Sequence, residues 1–348
     1  MFDSLARLAQ NRARLVAIAA AVLFVVAGSV GGGVASKLDP YGADDPATET
    51  VQAAERLERA GFRETALIVL VDGNPESPAA ERRVAAVQET LDGDPDVATV
   101  TGLGNTRQLD FVAEDGSAQY LSVALAPTDD KESQEAAERV AGELEGIAGV
   151  AVGGPALAQA QVNEQVEADL KRAELLAFPL LFLLSLLFFR SLVAAALPLL
   201  VGALAIVGTF FTLSLASEVG SISVFALNLT TGLGLGLAID YSLFIVSRYR
   251  EEIAKDGPGL PAMRRTLATA GRTVLYSSLT VAAAMASLLV FPQRFLYSMG
   301  IGGVSVALLA AVVSLLVLPA VLALLGNRVN ALAPRFLQRG AAADARPD

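Results

Sequence analysis

One acidic residue, Asp240, lies inside a long apolar segment of the sequence, and Tyr241 follows it directly. A charged side chain at the centre of a bilayer costs about 3 kcal/mol or more on insertion scales, so an acid in such a segment indicates a functional site. A carboxyl group removed from water holds its proton more readily than one in water. Asp240 is therefore a candidate for binding and releasing a proton near neutral pH.

The residues beside Asp240 fit this hypothesis. Gly232, Gly236 and Asp240 recur every four residues, which places them on one face of a helix. Glycines let a neighbouring helix approach closely, so we expect helix packing beside the carboxylate. The Tyr241 phenol can donate a hydrogen bond or pass on a proton. The residues alone leave two alternatives open, a purely structural Asp240 and ordinary packing at the glycines.

Further polar groups predict a path that leads to this site. We assign Ser277, Ser278, Thr280 and Asn228 to this candidate polar path. Tyr276 adds another hydroxyl in the same segment as the serines. The competing interpretation is that the serine and threonine hydroxyls bond only to carbonyl groups of their own helix.

The inventory of residue types excludes several kinds of chemistry. The 348 residues include no His, no Cys and no Trp, which excludes zinc sites built on His or Cys, disulfides and Ser-His-Asp triads. The glycine run before Asp240 lacks the Gly-Lys-Ser/Thr ending of a phosphate loop. We expect no enzymatic activity, no cofactor, no metal ion and no nucleic-acid partner.

The composition is that of a membrane protein, with 53% hydrophobic and only 18% charged residues. A bilayer core about 30 Å thick needs about 20 apolar helical residues to cross it, and six segments satisfy or approach this length. The predicted order is a cytoplasmic N-terminus 1–14, span one 15–36, an extracytoplasmic domain 37–172, span two 173–190, span three 191–217, span four 221–247, a cytoplasmic loop 248–272, span five 273–291, span six 296–326 and a cytoplasmic tail 327–348.

Charge sets the orientation of these segments. Fourteen Lys and Arg residues fall on one side of the predicted spans, and the short loops on the other side hold only Arg294. Both termini are therefore predicted to be cytoplasmic. Residues 37–174 carry a net charge of −17, against +7 for the remainder, which predicts an acidic domain outside the membrane. We interpret span one as an uncleaved helix rather than a signal peptide, because its apolar stretch is long.

The extracytoplasmic domain has the pattern of an α+β fold. Its helices and strands are predicted in the order β-α-β-β-α-β, which is typical of a ferredoxin-like domain. The predicted elements are a leading helix 49–60, strand 65–71, helix 78–91, strand 97–101, strand 119–125, helix 131–145, strand 149–152 and a helix 156–172 that continues into span two.

Two stretches of the sequence resemble a known family. Residues 232–252, with Asp-Tyr followed by Arg-Tyr-Arg-Glu-Glu, are similar to the fourth transmembrane helix of MMPL proteins, a branch of the resistance-nodulation-division (RND) superfamily. Residues 271–287 and 295–300 resemble the next two helices. The resemblance implies a six-helix RND half, with a porter domain at about 39–168.

The resemblance also implies a function. Family members export lipids and other hydrophobic molecules across the bacterial inner (plasma) membrane by proton antiport, and Asp240 with Tyr241 matches the Asp-Tyr pair of the proton relay. The family's usual transporter has two such halves, whereas this sequence has one. We therefore expect a second six-helix half as partner, either a carboxyl-terminal half or a second copy, and favour an amino-terminal fragment over a homodimer.

Two other functions share the predicted architecture. The first is an accessory of protein translocation of the SecD/SecF type, which the Asp-Tyr motif argues against. The second is a lipid-binding protein similar to sterol-sensing receptors that does not pump. Neither the cargo nor the oligomeric state follows from the sequence.

Overall fold

In the computed structural model, the described residues are 1–34, 38, 47–127, 130–220 and 222–331. They divide into two compact units, one formed by residues 46–170 and the other by the rest of the chain. The second unit begins with helix α1 (Phe2–Asn11) and helix α2 (Ala13–Gly31). The end of predicted span one, residues 35 and 36, lies outside the described residues.

The first unit contains the α+β elements that the sequence predicts, with each observed end within two residues of its prediction. It also contains one short helix, α5, where the sequence predicts a loop. Helix α4 begins at Pro78, a residue suited to the first helical turn, and the Ser77 hydroxyl accepts a hydrogen bond from the amide of Ala80. The elements are α3 (Glu49–Arg59), β1 (Leu67–Asp72), α4 (Pro78–Asp92), β2 (Val97–Thr101), α5 (Leu103–Thr106), β3 (Ala118–Leu125), α6 (Asp130–Leu144) and β4 (Val150–Gly153).

These strands form one antiparallel sheet in the order β2-β3-β1-β4. Alternate residues of β1 are buried, as the two-residue period of a strand requires. Val69 of β1 packs with Val87 of α4 and Val140 of α6 in one apolar core. On the opposite face of β1, Ile68 is 41% exposed and Leu70 is 40% exposed.

The second unit is a bundle of long apolar helices. Among the described residues, five helical stretches are long and apolar enough to cross a membrane, and residues 175–189 form a shorter apolar stretch at the end of α7. The helices after the sheet are α7 (Pro155–Phe189), α8 (Leu192–Ser217), α9 (Phe225–Asp256), α10 (Leu260–Thr266), α11 (Arg272–Ala286), α12 (Arg294–Val312) and α13 (Leu318–Leu325).

The segment 248–272, predicted as a cytoplasmic loop, is largely helical, and its place outside the membrane stays a prediction. Helix α9 continues through Asp256, α10 follows, and a π-helical turn at residues 267–271 joins α10 to α11. A second π-helical turn at residues 313–317 lies between α12 and α13, within predicted span six. Of the predicted cytoplasmic tail, residues 332–348 lie outside the described residues.

Helix α9 is held at the centre of the bundle by α8 and α12. Gly234 of α9 lies so close to its neighbours that a Cβ atom added there would stand 2.6 Å from Val306 Cγ2 and 3.1 Å from Ile206 Cγ1. Gly302 of α12 and Gly202 of α8 make similarly close approaches to α9. Glycines at the contact points therefore let three helix backbones come together, as small residues do in membrane bundles.

Candidate functional site

Helix α9 presents Asp240 on its exposed face. Gly232, Gly236 and Asp240 are all exposed, and Phe244 continues the same four-residue series at 52% exposure. Nothing in the described chain lies within 4 Å of a Cβ atom built at Gly232 or Gly236. The predicted common face is thus confirmed, whereas close packing on these two glycines stays a prediction, because the described part of the chain supplies no helix to pack there.

Tyr241 points into the bundle instead. Its side chain is 2% exposed and belongs to the main apolar core. Its hydroxyl group is buried and has no aligned hydrogen bond to any described residue, although Ser277 of α11 lies close enough to interact with it. Asp240 and Tyr241 therefore face different surroundings, with the carboxylate on the open side of α9 and the phenol beside α11.

The residues of the candidate polar path differ in what they contact and in how far they lie from Asp240. Ser278 and Thr280 donate hydrogen bonds to carbonyl groups of their own helix, Leu275 O at 2.8 Å and Tyr276 O at 2.9 Å, which is the competing interpretation for such hydroxyls. Asn228 lies three helical turns from Asp240, about 18 Å along the axis at 1.5 Å per residue. Ser277 is the member of this set that the structure brings beside Tyr241.

The sequence reasoning missed a buried acid near the C-terminal end of α9. The Glu252 side chain is only 2% exposed, and it forms ion pairs with Arg248 at 2.8 Å, with Lys255 at 3.6 Å and with Arg265 of α10. The signal was present in the spacing, because Arg248 and Lys255 lie four residues before and three residues after Glu252. These charges continue α9 beyond the apolar segment and attach it to α10.

Arg250 fixes the same end of α9 to two other parts of the bundle. Its Nη1 donates to the carbonyl oxygen of Phe189 at 2.7 Å, and its Nε donates to Asn330 Oδ1 at 2.7 Å. Ser191, which caps α8, donates from its hydroxyl to the carbonyl oxygen of Val329 at 2.8 Å. The helix that carries Asp240 is thereby anchored near its C-terminal end.

The first unit has its own charged cluster. Arg139 of α6 donates to both carboxylate oxygens of Asp94, with the Nη2–Oδ1 distance at 2.8 Å, and to Asp96 Oδ2 at 2.7 Å. Hydrogen bonds from Arg139 hold the pKa of the Asp94 carboxyl below its usual range, against the effect of burial. The cluster joins α6 to the turn between α4 and β2. Among the described residues, no three acidic side chains are grouped so that they could hold a metal ion.

The helices and the α+β unit together define a class of protein. The part of the chain that the structure describes has five helical stretches of membrane length, with an α+β unit in the sequence between the first and the second. The chain is therefore a helical membrane-type protein. The chain belongs to the MMPL family, whose model matches residues 41–347.

The relatives of this chain are longer proteins. The membrane protein SCO6666 of Streptomyces coelicolor is 39% identical over 340 residues, which cover 94% of this chain and 47% of that protein. The trehalose monomycolate exporter MmpL3 of Mycolicibacterium smegmatis is 40% identical over 61% of this chain and 21% of its own length. The mycolic acid-containing lipids exporter MmpL11 of the same organism is 34% identical over 48% of this chain and 18% of its own length. The chain thus spans about half the length of the first of these relatives and matches smaller shares of the others.

Proposed function

We propose that this chain is one half of a proton-driven exporter of lipids or other hydrophobic molecules in a bacterial inner membrane. Membership of the MMPL family supports transport, and the names of MmpL3 and MmpL11 support a lipid cargo. In this proposal the chain crosses the membrane six times, with residues 175–189 of α7 as the second span. Both termini are cytoplasmic, and the α+β unit is a ferredoxin-like porter domain on the outer side.

The observation that carries the proposal is the position of Asp240. It stands on an open face of α9 that also presents Gly232 and Gly236, while α8 and α12 cover the opposite side of the helix. A carboxylate facing lipid would be costly, so we infer that a second six-helix half covers this face in the assembled transporter. The two glycines let a helix of that half come close to the carboxylate.

Within this arrangement each site residue has a role. Asp240 takes up a proton from one side of the membrane and releases it to the other as the two halves change conformation. Tyr241 passes the proton on, because its oxygen accepts one proton as its hydroxyl releases another, and the Ser277 hydroxyl lies beside it. The more distant Asn228 and the self-bonded Ser278 and Thr280 line the approach without exchanging the proton. The lipid and the proton are the transported species, and no cofactor takes part in the proposal.

Transport driven by an imposed pH gradient tests the proposal. The complete transporter that contains this chain, formed with another six-helix half or with a second copy, is reconstituted in vesicles with a fluorescent lipid. We expect Asp240→Asn to abolish gradient-driven lipid movement, because the amide cannot exchange a proton. The matched control is Asp256→Asn, an exposed carboxylate at the end of the same helix. Undiminished movement by the Asp240 variant would contradict the proposal.

A further inference from the structure

Helices α8, α9 and α12 contact one another at points about one helical turn apart, and we call each set of contacts a level. At the first level, a Cβ atom added to Gly234 of α9 would contact Val306 of α12 and Ile206 of α8. At the next level, a Cβ atom at Gly202 of α8 would stand 3.5 Å from Ala238 Cβ of α9. From one level to the next, residue numbers rise by four in α9 and fall by four in α8, so these two helices are antiparallel.

The contacts of α12 fix its direction as well. Gly302 lies against Thr230 and Val306 against Gly234, so the numbers rise together and α9 and α12 are parallel. Four residues form about one helical turn, and the second level therefore includes Ala310, which is fully buried. Counting one more turn along each helix places Pro198, Ser242 and Ser314 at a third level. Both α8 and α9 contact the π-helical turn at residues 313–317, which contains Ser314.

This third level is polar, in contrast to the levels above it. Ser242 and Ser314 are both 0% exposed, and neither hydroxyl has a hydrogen-bond partner within the described part of the chain. Thr230 of α9 shares this property, whereas Thr209 and Thr231 bond to their own helices, at Ala205 O (2.8 Å) and Leu227 O (2.9 Å). The two serines therefore do not follow the usual behaviour of hydroxyls in apolar helices.

Pro198 adds a third polar group at this level. A proline has no N–H, so the carbonyl group of Ala194, four residues earlier in α8, cannot receive its ordinary helical hydrogen bond. Ala194 is 0% exposed, and bulk water does not reach it. In membrane helices the backbone groups freed by proline are satisfied by neighbouring serine or threonine side chains and by ordered water.

We propose that the third level is a binding site for an internal water molecule, held by the Ser242 hydroxyl, the Ser314 hydroxyl and the Ala194 carbonyl. Buried waters typically make about three hydrogen bonds to polar groups that lack other partners, and this level provides three. The neutral oxygens favour water over a metal cation, which would require more ligands and negative charge. The site is separate from the proposed relay, because Asp240 lies on the exposed face of α9 and Ser242 on the buried face. The water joins α8 beside Pro198 to the π-helical turn after α12.

Water-edited solid-state NMR on the whole chain in lipid bilayers tests this proposal directly. The experiment follows the transfer of magnetisation from water protons to labelled side chains. We expect transfer to the Cβ atoms of Ser242 and Ser314 to be several-fold faster than to Thr209, which is equally buried but bonded to its own helix. Equal transfer rates at the three residues would overturn the proposal.

Substitutions identify the groups that hold the water. In the double variant Ser242→Ala with Ser314→Ala, we expect transfer to Ala194 to fall to the rate seen at Thr209, because two of three hydrogen-bonding groups are lost. The control Thr209→Val removes a self-bonded hydroxyl and should leave transfer at both serines unchanged. Continued fast transfer to Ala194 in the double variant would also overturn the proposal. If the double variant does not fold, the comparison in the unsubstituted chain decides the question alone.

Discussion

Gly234 of α9 lies directly against Val306 of α12, with only 2.6 Å between Val306 Cγ2 and the position that a Cβ atom would occupy. A methyl group at this position requires the two helices to move apart. We therefore predict that Gly234→Ala lowers the free energy of unfolding by about 1–3 kcal/mol, the usual cost of overpacking a core. Thermal unfolding of the chain in detergent measures the loss.

Gly236, two residues further along the same helix, provides the matched control. Nothing in the described chain lies within 4 Å of a Cβ atom there. Because alanine is favoured over glycine inside a helix by about 0.5–1 kcal/mol, Gly236→Ala should leave the stability of the chain unchanged or slightly higher. The same variant should weaken association with a second six-helix half. Equal destabilisation by the Gly234 and Gly236 variants would show that α9 packs differently.

The buried acid at the end of α9 gives a second prediction. Glu252 is almost fully buried among cations, whereas its neighbour Glu251 has a side chain that is 58% exposed and pairs with Arg248. We expect Glu252→Gln to destabilise the contact between α9 and α10 by about 1–3 kcal/mol, because hydrogen bonds to a charged group are lost. Glu251→Gln should have an effect below about 1 kcal/mol, typical of a surface pair. Hydrogen exchange of α10 distinguishes the two outcomes, and equal protection in both variants would contradict the prediction.

The Asp94–Arg139 pair makes the α+β unit sensitive to acid. Since Arg139 lowers the pKa of Asp94 in the folded state, the pair contributes stability above the unfolded pKa of about 3.9 and loses it as the pH falls through the lower, folded pKa. We expect hydrogen-exchange protection of α6 to fall below about pH 4 for this reason. Arg139→Met should remove this acid-dependent loss of protection. It should also lower the free energy of unfolding at neutral pH by about 1 kcal/mol, a modest value because Arg139 is 41% exposed. An unchanged acid response in Arg139→Met would exclude this pair as its cause.

The proposed orientation can be tested with single cysteines, because the sequence has none. Ala113 in the α+β unit and Ala254 near the end of α9 are both exposed. In intact bacterial cells whose outer layers are permeable to the reagent, an impermeant maleimide should label Ala113→Cys and not Ala254→Cys. Opening the inner membrane should make both reactive. The reverse pattern would invert the proposed topology.

The α+β unit shows how much of the fold the sequence predicts. Strand β2 begins and ends at the predicted residues, Val97 and Thr101, because apolar and β-branched residues are bounded there by turn signals. Helix α4 begins at Pro78, as the sequence also predicts. Hydrophobic patterns with periods of two and 3.6 residues were enough to predict these elements, since each element buries one face against the same small core.

The bundle was harder to predict, because contacts between helices decide its details. The charges after residue 247 indicated a connection between two spans but not its helical structure. Pairing of Arg248 and Lys255 with Glu252 lets α9 continue to Asp256. The sequence pattern indicated Gly232 and Gly236 as packing glycines, whereas the close contact within the chain is made by Gly234. Both patterns are compatible with a helix, and only the positions of neighbouring helices distinguish one face from another.

The central claim is that Asp240 takes up and releases a proton within the membrane, and infrared difference spectroscopy of the assembled transporter in bilayers measures this directly. When the buffer is changed from alkaline to acidic, we expect a protonated-carboxyl band to appear. This band should be absent from the Asp240→Asn variant and retained in Asp256→Asn. An identical difference spectrum for Asp240→Asn and the unsubstituted protein would contradict the account, because Asp240 would then not change its protonation state.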